Sequence, residues 1–136
     1  MTDVRFLLDT NTCIYIRRRR PTEVIKRFER LRAGEAALSI ITYGELAYGC
    51  ERGPTPLVAR KSLQELMQSI PVIALPVEAG PVYGSIRLVL AARGELIGSN
   101  DLWIAAHAVA ANLTLVTNNQ KEFRRVRGLR LENWVG

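Results

Sequence analysis

Only three aspartates occur among the 136 residues of this chain, and two of them, Asp9 and Asp101, stand beside strongly patterned segments. Asp9 ends the apolar run Val4-Arg5-Phe6-Leu7-Leu8. Asp101 opens an Ala-rich apolar stretch that runs to Ala111. Glu45, in Thr42-Tyr43-Gly44-Glu45, follows the run from Ala36 to Ile40 by a few residues. Each acid has an ordinary local explanation. Asp9 can close an Asx turn or cap the next helix. Glu45 occupies the third position of a T-x-x-E capping box. Asp101, with Ser99 and Asn100, can cap its own helix. Three such acids gathered at one place in a fold are harder to explain locally, because converging carboxylates repel and need a cation. An all-oxygen donor set, with no clustered His or Cys, selects Mg²⁺ or Mn²⁺ over zinc. Magnesium held by a few carboxylates and several waters is the pattern of phosphoryl-transfer sites, where it activates water and neutralises charge growing on a phosphodiester.

Other chemistries are poorly supplied. His107 is the only histidine, so no Ser–His–Asp set is available. It lies six residues past Asp101, about 240° around a helix, and is expected to point away from the acid into packing. Cys13 and Cys50 show no CxxC spacing and read as small core residues with free thiols. No G-x-x-x-x-G-K-S/T or G-x-G-x-x-G loop is present, which disfavours a nucleotide-binding loop of either kind.

The elements that must position the acids alternate between strand and helix. Val4–Leu8, Ala36–Ile40, Pro71–Leu75 and Leu113–Val116 read as short buried strands, with Leu129–Leu131 as a final one. Helices are expected from Cys13 to the Arg17–Arg20 run, over Thr22–Arg32, from Thr42 to Gly53, over Leu57–Ser69, over Val82–Ala92 and over Asp101–Ala111. No linker, repeat or low-complexity segment interrupts the pattern, so residues 1–136 form one domain. The alternation predicts an α/β fold with a central parallel sheet of four to five strands, covered by helices. In such sheets the ligand crevice lies beyond the carboxyl ends of the strands, near a switch point. Asp9 and Asn118-Asn119 follow strands directly, so oxygen ligands are expected near one edge of the sheet.

Composition narrows the partners. Apolar residues make up 48% and charged residues 24%, an ordinary globular balance with no apolar run long enough for a membrane span. Asp3 and Arg5 precede only a short apolar run, so no secretory signal is expected and the cytoplasm is the natural compartment. The net charge is +6, and sixteen of the nineteen cations are arginine. Guanidinium groups match phosphate geometry and stack on bases, which suggests a polyanionic partner, nucleic acid first.

Taken in order, Leu7-Leu8-Asp9-Thr10-Asn11, Thr42-Tyr43-Gly44-Glu45-Leu46, Gly98-Ser99-Asn100-Asp101-Leu102-Trp103-Ile104-Ala105-Ala106-His107-Ala108 and Leu115-Val116-Thr117-Asn118-Asn119 with Glu122-Phe123 resemble the PIN-domain ribonucleases, most closely the VapC toxin branch of bacterial toxin–antitoxin modules. The resemblance extends to the ending Leu131-Glu132-Asn133-Trp134. It implies a PIN-like fold, an Mg²⁺- or Mn²⁺-dependent endoribonuclease, an RNA substrate such as a tRNA arm, a cognate VapB-like antitoxin and a homodimer. Asp9, Glu45 and Asp101 match the three acidic positions of the family. Asp9 and Asp101 would hold the metal, with Glu45 as ligand or orienter of the attacking water, leaving a 5′-phosphate and a 3′-hydroxyl. Thr10, Asn11 and Thr117 would supply hydrogen bonds around them. A fourth acid, frequent in the family after the fourth strand, is replaced here by Asn119, whose amide oxygen can still ligate a metal or hold one of its waters, and Glu122 nearby can either supply a charge or be an ordinary surface residue.

Several features stay open at this level. Arg17, Arg18, Arg19 and Arg20 can grip RNA, dock an acidic antitoxin segment or simply solvate a helix end. Arg124, Arg125 and Arg127 are similarly ambiguous. Tyr15, Tyr43, Tyr48 and Tyr83 can stack bases, although packing is the commoner role. Val82, Tyr83, Ile86, Val89 and Leu90 form an apolar face for either a homodimer or the core. The missing fourth acid also motivates a rival reading, a catalytically impaired RNA-binding module. A phosphatase with Asp9 as nucleophile is disfavoured because Asn11 stands where a second Asp is wanted. A DNA-directed nuclease is disfavoured by the small size.

Overall fold

The short run Phe6–Leu8 is buried on both faces and can only be a central strand, β1. In the computed structural model, which describes residues 3–135, β1 is the middle of a five-stranded sheet. The chain continues through helices α1 (Thr10–Arg18) and α2 (Thr22–Glu29), strand β2 (Ala36–Ser39), helices α3 (Ile40–Arg52) and α4 (Pro56–Ser69), and strand β3 (Val72–Ile73). Helices α5 (Ala79–Ala92) and α6 (Ser99–Ala110) lead to β4 (Thr114–Val116), a short α7 (Gln120–Phe123) and β5 (Arg130–Glu132).

The strand order is β3-β2-β1-β4-β5, and every pairing is parallel. The expected α/β architecture therefore stands. The order reverses direction between β1 and β4, so the crevice predicted for such sheets opens at their carboxyl ends. Leu8 pairs with Val116, which brings Asp9 and Thr117 side by side as the next residues out of the sheet. The Asp9 N–H also donates to the Val116 carbonyl at 3.0 Å, extending the ladder to the acid itself.

Two apolar clusters sandwich the sheet. One joins Phe6, Leu8, Leu38 and Val116 to α1–α4 and to Trp134. The other joins Leu7 and Leu115 to Leu90, Leu102, Ile104, Phe123 and Val126. The alternation of Leu7 and Leu8 between them is the period of two of an extended strand. Cys13 and Cys50 are buried free thiols in the first cluster.

The start of α3 and the presence of α7 differ from expectation, and the open reading of the α5 face closes. Helix α3 starts at Ile40 rather than Thr42, because Ser39 ends β2 and caps the helix at once, its hydroxyl accepting from the Ile41 N–H at 3.2 Å. Thr42 is consequently inside the helix, fully buried, and its Oγ1 finds no partner. The T-x-x-E capping box does not form. The face named on α5 is mostly core: Leu90 is buried, and Tyr83 and Ile86 pack against the second cluster. Tyr83 also stacks on Trp103 with ring centroids 3.9 Å apart, fixing α5 on α6. Leu88 and Val89 are the large hydrophobic residues of α5 left exposed. Helix α7 was not expected at all. No helix among the described residues is long and apolar enough to cross a membrane.

Leu115 is fully buried at the centre of the sheet. Leu115→Ala is expected to lower unfolding stability by about 2–5 kcal/mol in urea titrations, the range for deleting a large buried aliphatic side chain. A loss below about 1 kcal/mol would show that the sheet centre relaxes around the cavity, contrary to this packing.

Candidate active site

Asp9 is fixed by the backbone before it does any chemistry. It is the N-cap of α1, and its Oδ1 accepts from the Thr12 N–H at 2.8 Å. The capping explanation thus holds locally, but the residue is also only 7% exposed. Burial pushes its carboxyl above the usual range, while hydrogen bonds from Thr117 and Thr12 pull it back, and Glu45 adds repulsion. Thr12 also donates from Oγ1 to the Val116 carbonyl at 3.3 Å, pinning the first turn of α1 across to β4.

Glu45 projects from the second turn of α3, partly buried. The Thr10 hydroxyl donates to its Oε1 at 2.7 Å, so the residue after Asp9 orients the second acid. Asp101 sits in the first turn of α6, whose N-cap is Gly98 with no side-chain cap. Its carboxyl is raised to about 6, first by burial, then by the charges of Glu45, Glu122 and Asp9. The three acids singled out from the sequence are therefore brought together, and a fourth joins them.

That fourth is Glu122 on α7, close enough to raise Asp101. Asn119, the residue standing in the usual acidic position, donates from Nδ2 to Glu122 Oε2 at 3.2 Å. Its N–H donates to Thr117 Oγ1 at 2.9 Å. The amide thus orients the Glu122 carboxylate. Sequence spacing made Glu122 a possibility, and the α7 turn that orients it carries no strong sequence signal. Asn11 is exposed on the first turn of α1, outside this hydrogen-bond net. Asn118 donates to the Tyr15 hydroxyl at 2.8 Å instead.

The helices carrying Glu45 and Asp101 are tied beneath the site. His107 of α6 is buried, with Nδ1 3.0 Å from the Ser39 hydroxyl that caps α3. Burial lowers the imidazole's pKa, so it is held neutral as a spacer between helices. The expectation that His107 points away from the acids into packing agrees with this placement.

The donor chemistry suits a hard divalent cation: all oxygen, acidic, and mutually repelling without one. Among the described residues, no three acidic, His or Cys side chains are drawn closely enough to enclose a bare ion. Magnesium does not ask for that, since it keeps several waters and needs one or two carboxylates. Arg17 to Arg20 do not reach this cluster. Arg17 and Arg18 close α1, about 10–12 Å of helix beyond Thr10, Arg19 is its C-cap and Arg20 follows, with Arg18, Arg19 and Arg20 exposed.

Comparison with known proteins follows the same lines. The PIN domain pattern matches residues 6–129. Ribonuclease VapC2 of Haemophilus influenzae is 39% identical over 132 residues, 97% of this chain and 99% of that protein. The tRNA(fMet)-specific endonuclease VapC of Shigella flexneri is 38% identical over 131 residues, covering 96% and 98%. Among solved structures, VapBC2 from Rickettsia felis bound to a DNA fragment from its promoter superposes with a TM-score of 0.89, at 36% identity, over 98% of this chain and 99% of that one.

The crowding of Asp101 makes a pH prediction. Its carboxyl is raised from 3.8 to about 6, so between those values the native state binds more protons than the unfolded chain. Stability in chelator must then fall as pH rises through that window and level off above it. Asp101→Asn removes this slope, so the variant's advantage over the parent in urea midpoint widens from pH about 4 to about 6. An advantage independent of pH would remove the assigned crowding.

Proposed function

The chain belongs to the PIN-domain family, in the branch of the VapC ribonucleases, and from that premise we propose that it is an Mg²⁺- or Mn²⁺-dependent endoribonuclease acting as the toxin of a VapBC-type module. The observation that carries the reading is the gathering of the half-buried Asp101 with Asp9, Glu45 and Glu122, from four different elements, beyond the carboxyl ends of β1 and β4. Such a cluster is costly unless it has a cation and an anionic substrate to organise.

Asp9 and Asp101 are the residues that would hold the metal, with Glu122, steadied by Asn119, adding negative charge nearby. When bound, the divalent ion supplies neutralisation of the charge that grows on the scissile phosphate. Glu45 has one oxygen committed to Thr10, which fixes its rotamer and leaves the other to accept a proton from the attacking water. Asp9 has Oδ1 committed to Thr12, so the first turn of α1 cannot rotate away from the reacting phosphate. Thr117 keeps Asp9 and the α7 turn in register through its buried hydroxyl. In-line attack by water leaves a 5′-phosphate and a 3′-hydroxyl.

The substrate we favour is a structured RNA of the tRNA class, as the names of the Shigella flexneri and Salmonella typhimurium relatives specify tRNA(fMet). Arg17, Arg18, Arg19 and Arg20 contact phosphates away from the cut. A VapB-like antitoxin restrains the enzyme in the cytoplasm, in keeping with the toxin–antitoxin complexes among the structural neighbours. Leu88 and Val89, exposed on α5, form part of the surface that pairs two copies. The rival reading of a catalytically impaired RNA binder rested on the absent acid at Asn119, and the position of Glu122 weakens it.

The test is incubation of purified, partner-free protein with total cellular RNA in Mg²⁺, Mn²⁺ or EDTA. Discrete products are expected only with metal. Asp9→Asn and Asp101→Asn are each expected to lose at least about 100-fold in cleavage rate with an unchanged circular dichroism spectrum. Glu45→Gln should lose about 10- to 1,000-fold, as for a group positioning a proton transfer. Intact RNA under every condition, with binding retained, would favour the non-catalytic module.

A further inference from the structure

Beside the carboxylates runs a groove of about 700 Å³, and it shares Thr10 and Glu45 with them. Its floor and outer wall come from one face of α3, where Gly44, Tyr48 and Arg52 recur every fourth residue. Asn100, next to Asp101, stands on the opposite side. Of the four tyrosines, Tyr15, Tyr43 and Tyr83 are partly buried in packing, but Tyr48 is 66% exposed. The Arg52 guanidinium lies over the Tyr48 ring at 5.3 Å from its centroid, so one face of the ring is covered and the other left open. Gly44, one turn before Tyr48, is in the interior of a thirteen-residue helix, where alanine is intrinsically more stable. A Cβ built there would meet nothing within 4 Å, so packing does not require the glycine.

We propose that Tyr48, backed by Arg52, is the stacking platform for an unpaired nucleobase adjacent to the cleaved phosphodiester, and that Gly44 keeps the approach to it clear. This assignment deepens the nuclease reading above and rests on it. An exposed aromatic ring with a cation on its far face is a surface on which any base can stack. A base in A-form duplex RNA is stacked and paired, with only its edges on view, and cannot lie on such a ring. The recognised RNA is therefore single-stranded or looped at the cut. Asn100 offers both a donor and an acceptor to the edge of the stacked base. An extended protein segment is the other occupant a groove of this kind could take, but contiguity with the phosphate-directed acids favours the nucleotide.

The probe is a short single-stranded RNA oligonucleotide carrying 2-aminopurine, titrated in chelator so that it stays intact, beside the same strand annealed to its complement. The wild-type protein is expected to bind the single strand and quench the fluorophore, and to bind the duplex without quenching. Tyr48→Leu should weaken single-strand binding roughly 5- to 150-fold, the equivalent of one lost base–aromatic stack, and abolish the quench. Tyr48→Phe should retain both within about twofold, because the ring is what matters. Gly44→Ala should melt at a higher temperature yet raise KM for the oligonucleotide in Mg²⁺. Unchanged binding and quenching by Tyr48→Leu overturns the assignment, and a weakened antitoxin complex in that variant then gives the face to the protein partner. Quenching of the duplex equal to that of the single strand also overturns it. A wild-type protein that quenches the single strand but cuts no RNA with either metal defeats the nuclease reading and leaves the platform standing. Absence of all RNA binding defeats both.

Discussion

The repulsion among Asp9, Glu45, Asp101 and Glu122 is the constraint on which the rest of this molecule depends. These acids come from four separate elements, the N-cap of α1, the second turn of α3, the first turn of α6 and α7. No local interaction requires them to meet, and electrostatics opposes it: burial first, and then the charges of Glu45, Glu122 and Asp9, hold the Asp101 carboxyl above its ordinary value. They meet because the parallel pairing of Leu8 with Val116 and the packing of α5 and α6 on the sheet leave the chain no alternative. The core energy of two apolar clusters is what holds like charges together. A rigid frame of this kind would suit the metal-dependent nuclease proposed above, whose carboxylates would have to keep their places with or without an ion.

The bonds around the acids show how the frame is transmitted. Thr10 and Thr12 follow Asp9 directly, and each reaches a different element: Thr10 to Glu45 on α3, Thr12 to the carbonyl of Val116 on β4. His107 and Ser39 repeat the arrangement one layer deeper, joining α6 to the cap of α3. A neutral buried imidazole suits that place, because a charged one would need a partner of its own. The order of the polar residues after β1 thus does two jobs, capping a helix and orienting a neighbour's carboxylate.

Much of this was legible in the residues. Leu7-Leu8 followed by Asp9-Thr10-Asn11 marks a strand ending in a turn or cap, although the helix it caps starts at Thr10 and not at the expected Cys13, and the alternation of elements implies a parallel sheet with its crevice at the carboxyl ends. The expected placement of Asp9, Glu45 and Asp101 at that edge matches their observed proximity. The start of α3 was not legible, because β2 passes into the helix with no loop and the stronger capping signal at Thr42 lies three residues beyond the one used, Ser39. The role of Glu122 was obscured for a related reason: α7 has four residues, too few for a hydrophobic period. The inward turn of most of the α5 face depends on tertiary packing against α6, which an amphipathic pattern alone does not specify. Which tyrosine stays exposed is likewise a property of the assembled surface.

Helix α3 carries several departures from what stability alone would select, as α5 does with Gly80, Gly84, Leu88 and Val89. It buries the Thr42 hydroxyl without a partner, carries Gly44 and Gly49 where a Cβ would meet nothing within 4 Å, and exposes Tyr48 and Ile40 to solvent. Each of these opposes folding through an unsatisfied hydroxyl, lost helix propensity or apolar surface left in water. Departures from local rules that lie beside a candidate site are the ones expected to have a functional reason. Of these, Ile40, Gly44 and Tyr48 line the groove beside Glu45. The apolar surface that Ile40 and Tyr48 leave in water is covered when a ligand occupies the groove, and binding to the native state alone then stabilises the fold by mass action. A face built in this way is selected for its ligand rather than for the stability of the empty protein.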